Sequence, residues 1–476
     1  MKIKTIAAIM LILSMLASAA ACAAPKKDSA ADTTTTAAET EDIDPRFAIR
    51  ENVPDYTFDG YKFRVHMRQG GWGNDFYAEE ATGDVVVDAV YARNAVTEER
   101  FDITFDFIPS DVSPVPTILA DDDAYDAVMP HGRHGFSYAM EGALVEWSSL
   151  PYINLDNPWW NQDAKTEFTV GGRLYCMLGQ LSYQTLGMTF GIFFDKTLFE
   201  NYSITEPYED VRAGKWTFDK FAEIGKVGKE DLNGDGKIKP EDDQFGYITS
   251  LWHGALNIQY SQGGRLTGKD EDDLPYMVLN TEKNIDIFDK YFSFIKEAEG
   301  YIWYQQKYQD KQIFSSGRAL MFEYSIDVAV EMRSSETNFG IVPPPKYDEA
   351  QDNYHSMINA AVSSVCVPIT NRDLELTSII LEAWSAESYR VVMPAYYNVA
   401  LQVKYARDDD SAEMLDIIVD NAVVDLLYYY GDLFGLDGIG VQLAAGNARN
   451  FSSFYASNEK TANKSIQKFI NKFTEV

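Results

Sequence analysis

The chain has 476 residues, 46% of them hydrophobic, 13% aromatic and 24% charged, a globular composition long enough for two or three domains' worth of core. Its formal net charge is -32 and its pI about 4.5, which argues against nucleic acid or an anionic membrane surface as a partner of the folded body. No phosphate-loop or dinucleotide glycine pattern, no nucleophile-elbow serine and no zinc-binding His-Glu-x-x-His occurs, so no catalytic residues and no organic cofactor are expected.

At the N-terminus, Lys2 and Lys4 precede an apolar run from Ile6 to Leu16, small residues from Ala17 to Ala21, and Cys22. This order reads as an export signal over residues 1–21, because a bilayer-spanning helix needs roughly 20 apolar residues. Ala19-Ala20-Ala21-Cys22 resembles a bacterial lipoprotein processing site, with Ala19 where such sites usually carry Leu. The expectation is a chain lipidated on Cys22 at the outer face of the cell membrane, or secreted if Cys22 is not modified. Residues 22–54 begin with a stretch rich in Ala, Thr and acidic residues, without aromatics up to residue 44, and read as a disordered tether.

Phe63, Val65 and Met67 alternate with polar residues, as do Phe101, Ile103, Phe105 and Phe107, which predicts two strands. Between them Val87, Val90, Tyr91, Asn94 and Ala95 recur at helical spacing. With a third strand over Ala124 to Met129, this is the opening of an α/β sheet. Ligands of such sheets gather beyond the strands' carboxyl ends, here at Gly70 to Asn74 and Pro130 to His134. Further strands are expected at Gly191 to Asp195, Phe339 to Val342 and Ala360 to Val367, and helices at Leu374 to Ser388, Ser411 to Tyr430 and Thr461 to Phe473. Cys176 and Cys366, the cysteines left after export, form either a disulfide or two buried thiols.

Several segments, in order, resemble the carbohydrate-type extracellular solute-binding proteins of ABC importers, the broad family that includes maltodextrin-binding proteins. They are Arg93-Asn94-Ala95-Val96-Thr97-Glu98-Glu99-Arg100-Phe101-Asp102-Ile103, Tyr125-Asp126-Ala127-Val128-Met129 and Phe193-Phe194-Asp195-Lys196-Thr197-Leu198-Phe199. Lys215-Trp216-Thr217-Phe218-Asp219, Phe314-Ser315-Ser316-Gly317-Arg318-Ala319-Leu320-Met321-Phe322 and Phe339-Gly340-Ile341-Val342-Pro343-Pro344-Pro345-Lys346 follow. The resemblance implies a two-lobed periplasmic-binding-protein-like α/β fold with a hinge and an interlobe ligand cleft. Lobe I would comprise residues 55–178 and 321–386, and lobe II residues 179–320 and 387–476, with crossings near Cys176 to Gln180, Met321 to Tyr324 and Trp384 to Tyr389. It also implies a monomer that delivers a sugar or oligosaccharide to ABC permease subunits. A surface adhesin without a transporter, or a binder of peptides or other polar solutes, is the competing reading.

Sugars are held by aromatic faces, with carboxylates, amides and arginines on the hydroxyls. The candidate ligand residues are therefore Trp72, His131 and Arg133, Gln180 near the first crossing, Trp252 with His253, Tyr324 near the second, and Tyr396 and Tyr397 after Pro394. Any one of these aromatics has packing as its competing role, and Trp159 and Trp160 are expected to pack. Finally, the stretch from Asp231 to Asp242 has the EF-hand spacing, with Asp231, Asn233 and Asp235 at positions 1, 3 and 5, Gly236 at 6, the Lys237 carbonyl at 7 and Asp242 at 12. It is either a structural Ca2+ site or a metal-free turn held by side-chain to backbone hydrogen bonds.

Overall fold

A computed structural model describes residues 44–250, 253–298, 301–302, 309–332, 335–397, 409–431 and 451–475. The export signal, Cys22 and the tether up to residue 43 lie outside these, as does Trp252. Glu51–Val476 forms one compact unit, and the residues before it form another. In the shorter unit, a turn of 3-10 helix over Pro45–Ala48 is capped by Asp44. The folded body therefore begins four residues earlier than expected: Glu51 is 8% exposed and ion-pairs with both Arg100 and Arg390, an arrangement a tether could not hold.

The first strands form as their alternation requires. β1 (Tyr61–Met67) leads through a loop to α1 (Val85–Phe101), and β2 (Ile103–Pro109) and β3 (Ala127–Met129) follow. Asp84 starts α1 by accepting from the N–H groups of Val86 and Val87, and Ala89, Val90, Arg93, Asn94, Thr97 and Phe101 form its buried face. Phe101, expected in the strand, ends the helix instead, because Asp102 turns left-handed at φ 49°. The sheet is parallel in the order β2-β1-β3. Antiparallel bridges from Val128 to Cys366, and from Met177 to Val365, extend it. The run Ala360 to Val367, expected as a strand, makes, among the described residues, these isolated bridges and that of His131 with Ser363 in place of a ladder. The loop after β3 leads into α2 (Gly132–Met140).

After a first crossing the chain builds a second sheet. β4 (Phe190–Asp195), α3 (Phe218–Val227), β5 (Phe245–Ser250), α4 (Gly254–Ser261), the small β6 (Thr267–Lys269) and β7 (Pro275–Met277) pair, and α5 (Glu282–Ala298) precede β8 (Tyr301–Ile302), β9 (Ala319–Ser325) and β10 (Phe339–Val342). The order is β10-β4-β9-β5-β8, with β5 parallel to β9 and β4 antiparallel to β9 and β10. This corrects the expected return to lobe I at residue 321, since β9 and β10 are both strands of the second sheet. The chain regains the first sheet only at Ser363 to Cys366, after β11 (Ser356–Met357).

α6 (Leu374–Glu387) and a turn of π-helix over Ser388–Val392 make the third passage. The helix expected over Ser411 to Tyr430 is broken in two: α7 (Asp409–Asp420) ends before β12 (Ala422–Val423), which pairs with β11. Asp425 then caps α8 (Leu426–Tyr430). α9 (Phe451–Thr474) lies on both halves. Phe469 and Phe473 meet Phe136 of α2 at ring distances of 6.2 and 6.3 Å, while Phe451 stacks on Phe288 of α5 at 4.7 Å. Among the described residues no helix is long and apolar enough to cross a membrane.

Polar groups buried where the passages meet tie them together. Arg93, 0% exposed, donates to the carbonyls of Asp75, Phe76 and Leu181, to Ser388 Oγ and to Asn94 Oδ1 at 2.9–3.4 Å. Its guanidinium also lies 5.0 Å from the Trp384 ring centre. Trp384 Nε1 donates to Asn94 Oδ1 at 2.8 Å, and Trp160 Nε1 to Glu382 Oε2 at 2.9 Å. Trp159 and Trp160 are both buried, as expected.

Candidate functional site

The carboxyl ends of β1 and β3 face the passages between the sheets, and the side chains there are held by short local devices. Arg68, one residue past β1, lies over Trp72 with its guanidinium carbon 4.0 Å from the ring centre. Its Nη1 donates to the carbonyl of Ala361 at 2.5 Å, and burial pulls its pKa down to about 10 against the fields of Asp75 and Asp111. His131 caps α2: its Nδ1 accepts from the N–H of Arg133 at 3.2 Å, which leaves the ring proton on Nε2. Burial first, then Arg68, His134 and Arg133, push the His131 pKa down to about 3 and hold it neutral.

Beyond β5, His253 Nε2 accepts from Asn359 Nδ2 at 3.3 Å, and its ring lies 5.5 Å from that of Phe190. Burial, reinforced by Arg133, lowers its pKa to about 4. Asn359 Oδ1 in turn accepts from the Tyr428 hydroxyl at 3.3 Å and from the N–H of Ala361 at 2.9 Å. Arg133 lies over the Tyr428 ring at 5.0 Å. Loops after strands of both sheets thus meet through the segment around Asn359.

A pocket of about 560 Å³ opens beside this cluster. The β1 loop supplies Asn74, Tyr77 and Glu79, the start of α1 supplies Asp84, the segment after β9 supplies Asp327 and Glu331, and Tyr183, Gln184 and Tyr396 come from the passages. The Tyr183 and Tyr396 rings lie 4.7 Å apart, and Tyr77 remains 43% exposed. Asp327 accepts from Ser325 Oγ at 2.6 Å, and burial lifts its carboxyl to about 6. Tyrosine faces with carboxylates and amides are the lining a polyhydroxylated ligand requires.

Of the candidates, Trp72, His131, Arg133 and His253 belong to one connected cluster, and Tyr396 lines the pocket. Gln180 sits in the first passage, where Nε2 donates to the Pro158 carbonyl at 3.3 Å and its own carbonyl accepts from Ser388 Oγ at 2.7 Å. Tyr324 packs on Phe322 at 5.3 Å, under Lys311, whose Nζ lies 4.9 Å from its ring. That lysine pairs with Glu331 of the pocket at 2.7 Å. The Tyr397 hydroxyl donates to Asp416.

Sequence reasoning did not single out Arg68, Asn359, Tyr183 or Tyr428. Arg68 had a readable signal in its position directly after an alternating strand. Cys176 and Cys366 are both buried free thiols, and burial beside Cys366 pushes the Cys176 thiol up.

In the loop at Asp231, the two carboxylate oxygens accept the N–H groups of Gly234 and Gly236, each at 2.7 Å. Asn233 and Asp235 accept those of Asp235 and Lys237, each at 2.9 Å. Asp242 is reached by Asn233 Nδ2 at 3.4 Å. Among the described residues no three His, Cys, Asp or Glu side chains stand close enough to hold a metal ion.

No protein-family model matches the sequence, and no curated protein matches it. Solved structures do match. A cyclo/maltodextrin-binding protein complexed with maltotetraose superposes over 87% of this chain and 97% of its own, at 12% identity and a TM-score of 0.55. An ABC substrate-binding protein from Listeria monocytogenes in complex with cycloalternan covers 87% and 99%, at 12% identity and 0.53. An ABC transporter solute-binding protein from Agrobacterium radiobacter K84, in complex with ribitol, covers 88% and 100%, at 13% identity and 0.50. The chain has the fold of the ABC solute-binding proteins. Near-complete coverage of these neighbours fits the two sheets, with the described cluster and pocket lying at the passages between them.

Proposed function

We propose that this chain is the substrate-capturing subunit of an ABC importer, taking up an extracellular carbohydrate or oligosaccharide and delivering it to permease subunits. The observation that carries the reading is the pocket lined from both sheets by tyrosines, carboxylates and amides, in a fold whose solved neighbours are complexed with maltotetraose, cycloalternan and ribitol. A ligand that touches both lobes favours the closed arrangement by its differential contacts, with no covalent step. The anchor in this reading is a lipid on Cys22, followed by a tether, and the protein acts as a monomer. The loop from Asp231 to Asp242 serves as a structural Ca2+ site.

A thermal-shift screen of the purified chain against mono- and oligosaccharides tests it, because a ligand that binds the native state raises the midpoint. The expected result is a shift of several degrees with one sugar class, reduced by Tyr77→Ala at the exposed wall of the pocket. No shift with any sugar beside a large one with a peptide would overturn the carbohydrate assignment. Sugar binding without any response to purified permease would favour the adhesin reading.

A further inference from the structure

In a chain of net charge -32, the cluster at the carboxyl ends of β1 and β3 gathers cationic and imidazole groups: Arg68, His131, Arg133, His134 and, across from them, His253. Arg68 uses little of its donor set. It is half-buried, and of the five N–H groups of a guanidinium, one is hydrogen-bonded among the described residues, to a carbonyl. No carboxylate lies within ion-pairing distance of it among the described residues. Two acids reach it through their fields, Asp75 and Asp111. Asp75 accepts from Ser182, and burial lifts its pKa to about 7, which weakens it as a counter-charge. Asp111 is exposed and accepts from Gln69 Nε2 at 2.5 Å. Trp72 fixes one face of the guanidinium, so its remaining donors present a planar fork, the geometry that receives a carboxylate in two parallel hydrogen bonds.

We propose that the ligand is an acidic saccharide whose carboxylate is received by Arg68. The inference rests on the carbohydrate reading above and narrows it. The opposite polarity of the neighbouring pocket sets the orientation: Glu79, Asp84 and Asp327 repel an anion and accept from hydroxyls, while Glu331 is held by Lys311. The neutral part of the sugar therefore occupies the pocket beside Tyr77 and Tyr183, and the acidic part lies over Trp72. His131, whose ring feels the charge of Arg68, carries a further donor in its Nε2–H.

The test uses matched pairs, each an oligosaccharide and the same skeleton with its charge removed. Oligogalacturonates, oligoglucuronates and oligoalginates are titrated against their methyl esters, carrageenan oligosaccharides against their desulfated forms, and neutral maltodextrins are included. A charge-assisted bidentate contact predicts that the tightest ligand is a uronate and that its ester binds about tenfold more weakly or worse. In Arg68→Gln that ratio collapses towards one, and in Arg68→Lys it is intermediate. If Arg68 only holds the Ala361 carbonyl, the variants weaken acid and ester alike and the inference falls. It also falls if a neutral sugar binds tightest, or if acid and ester are within twofold, and the carbohydrate reading then stands. A sulfated sugar binding more tightly than every uronate would assign the site to sulfate instead of carboxylate. Failure of every sugar, with binding of a peptide, removes the carbohydrate reading itself.

Discussion

Arg68 opens the loop after β1 and Arg93 lies midway along the helix that this loop leads into, and they use the same side chain in opposite ways. Arg93 is fully buried and spends its donors on three carbonyls and a hydroxyl drawn from the β1 loop, the first passage and the third, and on the amide oxygen of Asn94 in its own helix. Arg68 is half-buried and spends one. Burial pulls both guanidinium pKa values down, to about 9 and about 10, so charge state does not tell them apart. What differs is satisfaction. A buried donor set that is filled by the protein stabilises the fold, and one left open beside an aromatic face invites a ligand.

The largest expected effect comes from removing the filled set. Arg93→Met leaves the carbonyls of Asp75 and Leu181 buried without that donor, at roughly 1 to 3 kcal/mol for each group, whereas the Phe76 carbonyl keeps Asn94 Nδ2 at 2.8 Å; the packing of the guanidinium on Trp384 is lost as well. A loss of more than about 4 kcal/mol in chemical denaturation is expected. A loss near 1 kcal/mol would show that the passages are held by the apolar packing of Trp384 and its neighbours instead.

Next in size is Asp75, 1% exposed and hydrogen-bonded to Ser182. Burial, opposed by that hydrogen bond and by Arg93 and Arg68, raises its carboxyl from 3.8 to about 7. A raised carboxyl means that the folded state holds its proton after the unfolded state has lost it. Its contribution is therefore largest below pH 3.8 and is lost as the pH climbs to about 7. At about 1.4 kcal/mol per pKa unit the change is at most about 4 kcal/mol. Asp75→Asn lacks this slope, so the stability of the wild type relative to the variant should decline between pH 4 and 7. Parallel curves for the two proteins would mean that Asp75 is ionised in the fold and paired through the arginines.

Arg68→Gln sharpens the contrast from the other side. It gives up one hydrogen bond to a carbonyl, about 1.5 kcal/mol by the usual charge-assisted value, and should leave the melting midpoint close to that of the wild type. A loss as large as that of Arg93→Met would make the two arginines equivalent and Arg68 a structural residue.

Local pattern carried much of the fold. Period-two alternation placed β1 and most of β2, and helical spacing placed α1, because one face of each is buried. It failed where tertiary contacts decide. The apolar run from Ala360 to Val367 lies between segments that each take isolated bridges from it, so no continuous ladder forms. The helical stretch after Ser411 is interrupted because residues 422–423 pair with β11 and Asp425 turns its side chain to cap α8 and to accept from Leu266 and Thr267. The candidate cluster was legible where it lay in loops after predicted strands, as at Trp72 and His131. Asn359 and Tyr428 were not, since they reach it from segments far along the chain, with no local signal of their neighbours.

The smallest expected effect concerns the loop at Asp231, where two physical accounts predict different responses. Asp231 already accepts two backbone N–H groups, so Asp231→Ala lowers stability with or without a metal, and that loss alone decides nothing. The response to calcium does decide. A Ca2+ site of the usual extracellular affinity, about 10⁻⁴ to 10⁻³ M, adds roughly 0.6 to 1.8 kcal/mol at about 2 mM calcium. The expected outcome is a small rise in the wild-type midpoint with calcium, absent with magnesium at the same concentration and absent in Asp231→Ala. A wild type indifferent to calcium, with a variant still destabilised, would make the loop a turn closed by its own side chains, with Lys239 bound to Asp235 as its counter-charge.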